Sequence, residues 1–463
     1  MKTLYKVTEG PILGKLLMLA FPILLTALSQ IAYNLTDMFW IGRVDKIGMV
    51  ETSAVAAVGT ASYLTWFAFG FILIAKIGTS VKVSHAVGEN EIDKVNVFAT
   101  NGLMLQVFFG VVFSILVLLF KEQFLGIFNI QSAQIVEYAL MYIPIIGGFI
   151  FIQFINNGFI AINEGLGQTR INLKILAIGF VFNMIMDPIL ILGFKLGIQG
   201  AAIATVTAQF FTLTIFYFVY KKHNPKLKIF HFSNFNLSAI KKILLVGLPA
   251  GVQSIFFTAI SIYIAREIYL YGGNVVAAQR VGVQVEQLTW MISGGFQTAI
   301  TIFVGQNFGA KQYARIKRGV WSISLVLIPY ALIITAILVI IPESLMRIFI
   351  DDPITVNYGI NYLKIISISQ VFMIIEGIGT GFFNGIAKSF IPSITSIIGN
   401  SLRVPLVIIL TKTLAEEGIW WSLNISSIVK ALVILLVFIF LVNKIEELKS
   451  HRLVLRKKRG SYV

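Results

Sequence analysis

Twelve apolar segments, each long enough to cross a lipid bilayer as a helix, follow one another along this 463-residue chain. A membrane-spanning helix needs about 20 apolar residues, and short polar stretches separate these segments. Hydrophobic residues make up 57% of the chain and charged residues only 13%, against about 25% charged in soluble domains. A soluble, disordered, collagen-like or coiled-coil protein is therefore excluded. The segments lie at about 14–41, 53–80, 97–120, 134–162, 173–194, 199–220, 243–271, 275–303, 319–341, 356–384, 392–412 and 418–442.

The spanning segments are predicted to be helices rather than strands of a barrel. Barrel strands alternate apolar and polar residues over about ten positions, whereas runs such as Phe113–Phe120 and Ala431–Val442 are continuously apolar. The basic amino terminus precedes an apolar run that continues to Trp40, so we interpret it as the first spanning helix. Cysteine is absent from the chain, which excludes disulfides, thiolate metal sites and thiol catalysis. The predicted class is an all-α polytopic membrane protein with about 12 transmembrane helices.

The positions of the basic residues predict how the chain crosses the membrane. Of the 37 Lys and Arg residues, 25 fall in the terminal segments and alternate loops that would face the cytoplasm, and six fall in the opposite loops. Cytoplasmic loops carry this excess, so both termini are predicted to be cytoplasmic in a multi-pass protein of the inner cell membrane. Anionic lipid of the inner leaflet explains the basic stretch 221–242 more simply than a nucleic acid does, and no nucleic-acid partner is expected.

An internal repeat divides the chain into two halves. Pro22 and Pro249 end similar four-residue patterns, the 164–167 loop matches 384–387, and Asn183-x4-Pro188 matches Asn400-x4-Pro405. The order is constant and the offsets stay between 217 and 227. Two parallel six-helix repeats follow, as in transporters with a midline cavity. The predicted domains are a lobe at 1–220, a basic linker at 221–242, a second lobe at 243–442 and a basic tail at 443–463.

Asp37 is the first acidic residue within a predicted span. A charge at the bilayer centre costs about 2.5–3.5 kcal/mol on insertion scales, so such a residue usually has a partner or a function. Gln30, Tyr33 and Asn34 precede it by seven, four and three residues, which places all four on one helix face. The alternative is a carboxylate that simply reaches the outer membrane interface.

Asp187 is the second acidic residue within a span of the first half. Asn183 lies one turn before it, and Pro188 frees a backbone carbonyl beside it. The next helix carries Thr205 at a similar depth, followed by Gln209. A simple Asp-Pro kink and interhelical hydrogen bonds are the alternatives. Together, two carboxylates, an amide and a hydroxyl can share a proton or surround Na⁺ with oxygens, and the predicted cation-coupling (or sodium) site consists of Asp37, Asn183, Asp187 and Thr205.

The second half carries charges of both signs. Arg266, Glu267, Arg280 and Glu286 favour structural ion pairs or amide contacts over a second cation site. Val404 occupies the repeat position of Asp187, so the duplicated site is expected to have lost its acid. The role of Glu376 stays open at this point. Lys430 is expected either to extend to the membrane interface or to pair with Glu376.

The chain resembles the multidrug and toxic compound extrusion family, in particular its DinF-like branch, over about residues 10–445. The resemblance rests on Pro22 with Asn34-x-x-Asp37-x-x-Trp40-x-Gly42, and on segments that follow it. These are Ala56-Ala57-Val58-Gly59, the loop 164–170, Asn183-x-x-x-Asp187-Pro188 and the loop 304–310. It implies a V-shaped pair of six-helix lobes that exchange organic cations for H⁺ or Na⁺, without a cofactor. The acids of the NorM-like branch are replaced here by Thr258 and Met373.

The resemblance also implies residue roles and partners. Asp37, Asn183, Asp187 and Thr205 match the cation site of the first lobe. The substrate-cavity positions are Gln30, Tyr33, Asn34, Asn156, Asn157 and Gln209, and the hinge positions are Pro22 and Pro188. The expected partners are small amphipathic cations and the lipid bilayer, and we expect a monomer.

Three other functions are weighed against cation-coupled drug export. A flippase for a lipid-linked saccharide would keep the fold but need cavity-lining Lys or Arg to bind phosphate. The six basic residues within the spans lie mostly in the second half. An enzyme is not expected, because no HExxH, P-loop or Gly-x-Ser-x-Gly pattern occurs and the largest loop has about 22 residues. A channel is not expected either, because no filter-like segment is present.

Overall fold

The computed structural model describes residues 7–127, 130, 132–223 and 232–442. Within these ranges every regular element is helical. The basic tail predicted at 443–463 and residues 224–231 of the predicted linker lie outside them. The first half of the chain contains α1 (Ile12–Ile41), α2 (Glu51–Gly88), α3 (Ile92–Gly126), α4 (Ala133–Gly148), α5 (Ile150–Gly165), α6 (Thr169–Pro188) and α7 (Gly197–His223). The second half contains α8 (Leu237–Tyr269), α9 (Gly273–Gly309), α10 (Tyr313–Ile340), α11 (Pro342–Arg347), α12 (Pro353–Ser367), α13 (Gln370–Gly385), α14 (Phe390–Ser401), α15 (Arg403–Leu414) and α16 (Glu416–Val442).

The described helices confirm the predicted class and the twelve predicted spans. Ten are long and apolar enough to cross a membrane, counting α14 with α15 as one span, and two further spans are bent pairs. The pair α4 and α5 bends by 43°, and the pair α12 and α13 bends by 47°. The bend falls in the fourth span of each half, at Phe149 and at Ile368–Ser369, so the repeat seen in the sequence is also present in the helix geometry.

Close contacts at glycines establish the register of this repeat. A Cβ atom on Gly179 would collide with the Thr212 side chain, and one on Gly399 would collide with the Lys430 side chain. Gly200 approaches the backbone of Leu190 in the same way that Gly418 approaches Leu410. Residues of α6 therefore correspond to residues of α14 and α15 at an offset of 220, and residues of α7 correspond to those of α16 at 218.

This register corrects one prediction from the sequence. The matching of Asn183 to Asn400, and of Asp187 to Val404, is three residues out of register. By the register that the glycine contacts establish, Asn183 corresponds to Arg403 and Asp187 corresponds to Val407. The expected loss of the acid still holds, because Val407 is a buried aliphatic residue. The Asn-x4-Pro similarity lies in sequence only, since Pro188 ends α6 whereas Pro405 lies in the first turn of α15.

The described chain divides into two compact units. The first contains residues 18–255, and the second contains residues 7–17 together with 256–442. Helices α1 and α8 therefore each contribute to both units. The lobe and linker boundaries predicted from the sequence stay a proposal.

Glycines allow α2 and α8 to approach closely within the first unit. A Cβ atom on Gly247 would collide with the Ile74 carbonyl, and one on Gly78 would collide with the Ile243 carbonyl. One turn after Gly247, a Cβ atom on Gly251 would collide with the Ile74 side chain and would lie 2.7 Å from the Gly70 carbonyl oxygen. Small residues four apart let helix backbones pack directly in a membrane, where burial of apolar groups adds little drive for association.

Gly247→Ala is expected to destabilise the protein by about 1–3 kcal/mol, the usual effect of overpacking, because the added methyl meets backbone rather than a flexible side chain. Gly59→Ala is the matched control, since no atom lies within 4 Å of a Cβ built there. It should leave stability unchanged or raise it by up to about 1 kcal/mol, because alanine is the better helix former. Thermal melting of the purified protein in detergent measures both, and equal melting temperatures would contradict the packing described here.

Candidate functional site

A cavity of about 500 Å³ lies inside the first unit, among α1, α2, α4, α5, α6 and α7. Nine of the polar residues predicted from the sequence line it, and Asp37 is the acidic one among them. Asp187 does not line the cavity and is instead fully buried. The predicted lining residues are Gln30, Tyr33, Asn34, Asp37, Asn156, Asn157, Asn183, Thr205 and Gln209.

Helix α1 presents one polar face to the cavity, as its spacing predicts. The Gln30 amide donates a hydrogen bond to Asn34 Oδ1 at 3.0 Å. The Tyr33 hydroxyl lies 3.4 Å from Thr205 Oγ1, which connects α1 with α7. The Tyr33 ring also stacks on Phe180 of α6, with ring centroids 5.4 Å apart. These contacts confirm that Tyr33 and Thr205, which are 172 residues apart in sequence, meet at one site.

Three of the four predicted cation residues, Asp37, Asn183 and Asp187, share a feature that is uncommon in protein interiors. Both carboxylate oxygens of Asp187, both amide atoms of Asn183 and Asp37 Oδ1 are buried without a hydrogen-bond partner. The exposed fraction is 0% for Asp187 and 1% for Asn183. Buried polar groups are almost always paired, and an unpaired one costs about 1–3 kcal/mol. These atoms are thus available to a ligand.

The electrostatics of the site are not compensated by nearby cations. Asp37 and Asp187 lie close enough to interact with each other and with Tyr33. Neither Lys nor Arg occurs among the described residues that line the cavity. Two carboxyl groups in such surroundings favour taking up a proton or binding a cation, because an isolated buried charge is costly. The oxygens of Asp, Asn and Thr are also suitable ligands for Na⁺.

Two neighbouring amides of α5 also face the cavity. The Asn156 side-chain amide donates to the backbone carbonyl oxygen of Gln209 at 3.0 Å. The Asn157 side-chain amide donates to the backbone carbonyl oxygen of Gln153 at 3.0 Å. Each therefore keeps its carbonyl oxygen for other partners, and Asn156 Oδ1 is buried without one. The family resemblance pointed to these residues, and the structure places both in the cavity wall.

Sequence reasoning did not predict the lining residues of α2 and α4, which include three aromatic side chains. Ser62, Thr65, Trp66 and Phe69 of α2 line the cavity, and so does Tyr142 of α4. The four α2 residues have the spacing i, i+3, i+4 and i+7, which marks one helix face. That spacing was a usable signal, but it is masked by the apolar residues that surround it in α2.

The two predicted hinge prolines lie in different helix surroundings. Pro22 is buried inside α1, and its carbonyl oxygen accepts a hydrogen bond from Thr26 Oγ1 at 2.8 Å. Pro188 ends α6, and the chain continues as a π-helical turn at Ile189–Gly193. Prolines remove a backbone donor at both places, which lowers the resistance of the helix to bending.

Comparison with known proteins identifies the family. The MatE profile matches residues 22–189 and 249–409, which together make up more than half of the chain. The chain belongs to the MatE family. Its members are membrane transporters, so this protein is a transporter and not an enzyme. One matched segment falls in each half, in agreement with the internal repeat.

Individual relatives of this MatE protein match it along nearly its whole length. The probable multidrug resistance protein NorM of Thermotoga maritima is 26% identical over 437 residues, which cover 92% of each chain. The multidrug export protein MepA of Staphylococcus haemolyticus is 21% identical over 458 residues, or 96% of each chain. A solved MOP-superfamily transporter from Pyrococcus furiosus has a TM-score of 0.87 at 21% identity, covering 96% of this chain and 99% of that one. The likeness confirms the fold, whereas the DinF-like branch stays a prediction.

Asn183→Leu is expected to stabilise this MatE protein by about 1–3 kcal/mol, because it removes a buried amide whose polar atoms have no partner. Asn163→Leu is the matched control, since that equally buried amide donates to Asn172 Oδ1 at 2.8 Å. The control should lower the melting temperature. If both variants melt below the wild type by similar amounts, Asn183 has a partner that its surroundings do not suggest.

Proposed function

We propose that this MatE transporter exports amphipathic organic cations and takes up H⁺ or Na⁺ in exchange. The observation that carries the proposal is the pair of uncompensated carboxyl groups at the cavity, Asp37 in its wall and Asp187 buried beside it. The names of the Thermotoga and Staphylococcus relatives, which refer to multidrug resistance and multidrug export, support the same direction.

Exchange follows from competition for the same negative charge. A proton or Na⁺ that occupies Asp37 and Asp187 removes the attraction for a cationic substrate, and a bound substrate removes the attraction for the ion. Each ligand then binds best when the other has left, which is the differential affinity that coupling requires. Asn183 and Thr205 supply further oxygens for the ion in this proposal. Protonation and Na⁺ binding are both compatible with these groups.

The cavity wall suits ligands that are both cationic and aromatic. Tyr33, Trp66, Phe69 and Tyr142 present ring surfaces, and cations bind to ring faces with about 0.5–2 kcal/mol. Gln30, Asn34 and Gln209 add polar groups that can adapt to different substrates. A wall of this kind selects for charge and flatness rather than for one structure.

The proposed exchange also needs a conformational change, and we propose that α1 and α6 bend. We assign the hinge role to Pro22 and Pro188, because bending of α1 or α6 at these positions would move Asp37 or Asp187 relative to the cavity. Transport rates of Pro22→Ala and Pro188→Ala test this, since a hinge variant should slow turnover without weakening substrate binding. We also propose that the protein is a monomer in the cytoplasmic membrane with both termini inside.

The second candidate function is a flippase for an anionic lipid-linked saccharide. Such a cargo would need cations in the cavity wall, and the described lining contains no Lys or Arg. Two of the basic residues within spans are already engaged, because Lys76 lies 3.5 Å from Glu164 and Lys430 lies 3.2 Å from Glu376. The charges of the first unit therefore favour a cationic cargo.

Asp37→Asn and Asp187→Asn are expected to lower gradient-driven efflux of a cationic dye from proteoliposomes by about tenfold or more, the factor that corresponds to 1.4 kcal/mol of lost cation binding. Imposed H⁺ and Na⁺ gradients, applied separately, identify the coupling ion. Asp45→Asn, which changes an exposed acid outside the cavity, should transport at the wild-type rate. Wild-type efflux by both cavity variants would remove the basis of the proposal.

Phe69→Ala is expected to weaken binding of an aromatic cation about two- to thirtyfold, because Phe69 lines the cavity. Phe67→Ala is the control on the same helix. Its ring is exposed to the same degree, 44% against 43%, but packs on Phe71 and Phe113 rather than lining the cavity. Fluorescence titration of the dye against purified protein measures both affinities, and equal losses would show that the dye binds elsewhere.

A further inference from the structure

Two polar positions of the cavity wall correspond to residues of the second unit that carry opposite charges. Helices α5 and α13 both have 16 residues and end at Gly165 and Gly385, so an offset of 220 relates them. Asn156 of the cavity wall therefore corresponds to Glu376. By the register of α7 and α16, Thr212 of the cavity wall corresponds to Lys430.

Glu376 and Lys430 form an ion pair inside the second unit. Lys430 Nζ lies 3.2 Å from Glu376 Oε2, and the Lys430 side chain is 8% exposed. Ser396 donates to the other carboxylate oxygen, Glu376 Oε1, at 2.9 Å. Both oxygens of Glu376 are thus engaged by the protein, whereas the first unit leaves both oxygens of Asp187 without a partner.

The neighbouring charges extend this compensation. Arg403, which corresponds to Asn183, is buried and donates from Nε to Ser426 Oγ at 2.8 Å. Glu286 accepts hydrogen bonds from the Tyr362 hydroxyl at 3.0 Å and from the Gln370 amide at 3.5 Å. Two acids and two bases are therefore present here, whereas the described residues that line the cavity of the first unit include Asp37 but neither Lys nor Arg.

Gly399 shows that the fold makes room for the lysine. A Cβ atom on Gly399 would overlap the Lys430 side chain at Cγ, so any larger residue at 399 would displace the lysine stem. Thr212 in the first unit contacts Gly179 through a much shorter side chain. The lysine stem thus lies where the shorter threonine side chain leaves the first unit open.

We propose that the second unit contains a cation-binding site at Glu376 whose resident ligand is the ammonium group of Lys430. The lysine acts as a tethered cation that neutralises the carboxylate permanently, so free cations bind in the first unit alone. Without the tether, the site is expected to accept a small primary ammonium ion, because Glu376 Oε2 contacts an ammonium group while the Ser396 hydroxyl holds Oε1 in place.

The experiment is chemical rescue of Lys430→Ala. This variant leaves Glu376, whose side chain is 16% exposed, without its cation and should lower the melting temperature by several degrees. Propylammonium should restore most of that loss, and the uncharged analogue 1-propanol should not. Wild type and Lys412→Ala, which removes an exposed lysine at the end of α15, correct for propylammonium that binds elsewhere, including the cavity of the first unit. The proposal would be overturned if propylammonium raised the melting temperature of Lys430→Ala by no more than it raises those of the wild type and Lys412→Ala.

A second variant covers the case in which Lys430→Ala fails to fold. Glu376→Asn/Lys430→Thr introduces the residues of the first unit and removes both charges together, so it should fold and be insensitive to propylammonium. Failure of this double variant to recover folding would show that the lysine acts by packing rather than as a cation. Melting in detergent involves no gradient or transport, so its outcome is separate from that of the proposed exchange function.

Discussion

The cost of burying a carboxylate without a counter-charge is the constraint on which the rest of this structure depends. In a medium of low dielectric constant an isolated ion is strongly disfavoured, and it must be protonated, paired or bound to a cation. Asp37 and Asp187 lie in the first unit under this constraint with no basic residue among the described lining of the cavity. The negative charge of these carboxylates favours binding of a proton or a cation. The proposed exchange follows from this charge and needs no catalytic group.

The helices around the site hold it in a particular geometry because their backbones cannot be left unpaired in a membrane. Irregular backbone is confined to a few positions, such as the bend at Phe149 between α4 and α5 and the π-helical turn after Pro188. Both positions border helices that contribute to the cavity. The irregular backbone thus lies at the ends of α5 and α6, which carry polar residues at the cavity.

Much of the fold was predictable from sequence because spans and faces are local properties. Apolar run length determined the twelve spans, and the i+3 and i+4 spacing placed Gln30, Tyr33, Asn34 and Asp37 on one face. Which residues of other helices pack against this polar face depends on contacts between distant segments, and the sequence pattern does not reveal those contacts. The stacking of Tyr33 on Phe180 and the contribution of Tyr142 are of this kind. The register error at Asn400 has a related cause, since a repeated Asn-x4-Pro pattern looked like homology, whereas glycine contacts reveal the true correspondence.

The two halves show how a duplicated architecture can acquire different roles through charge alone. Corresponding positions hold Asn156 and Thr212 in one half, and Glu376 and Lys430 in the other. A buried ion pair adds little net stability, since its desolvation offsets its attraction, but loss of one partner is costly. A pair of this type therefore holds its local structure fixed and discourages entry of free ions. If the second half is kept neutral in this way, a cation that enters or leaves the proposed site at Asp37 and Asp187 changes the charge of the first half only.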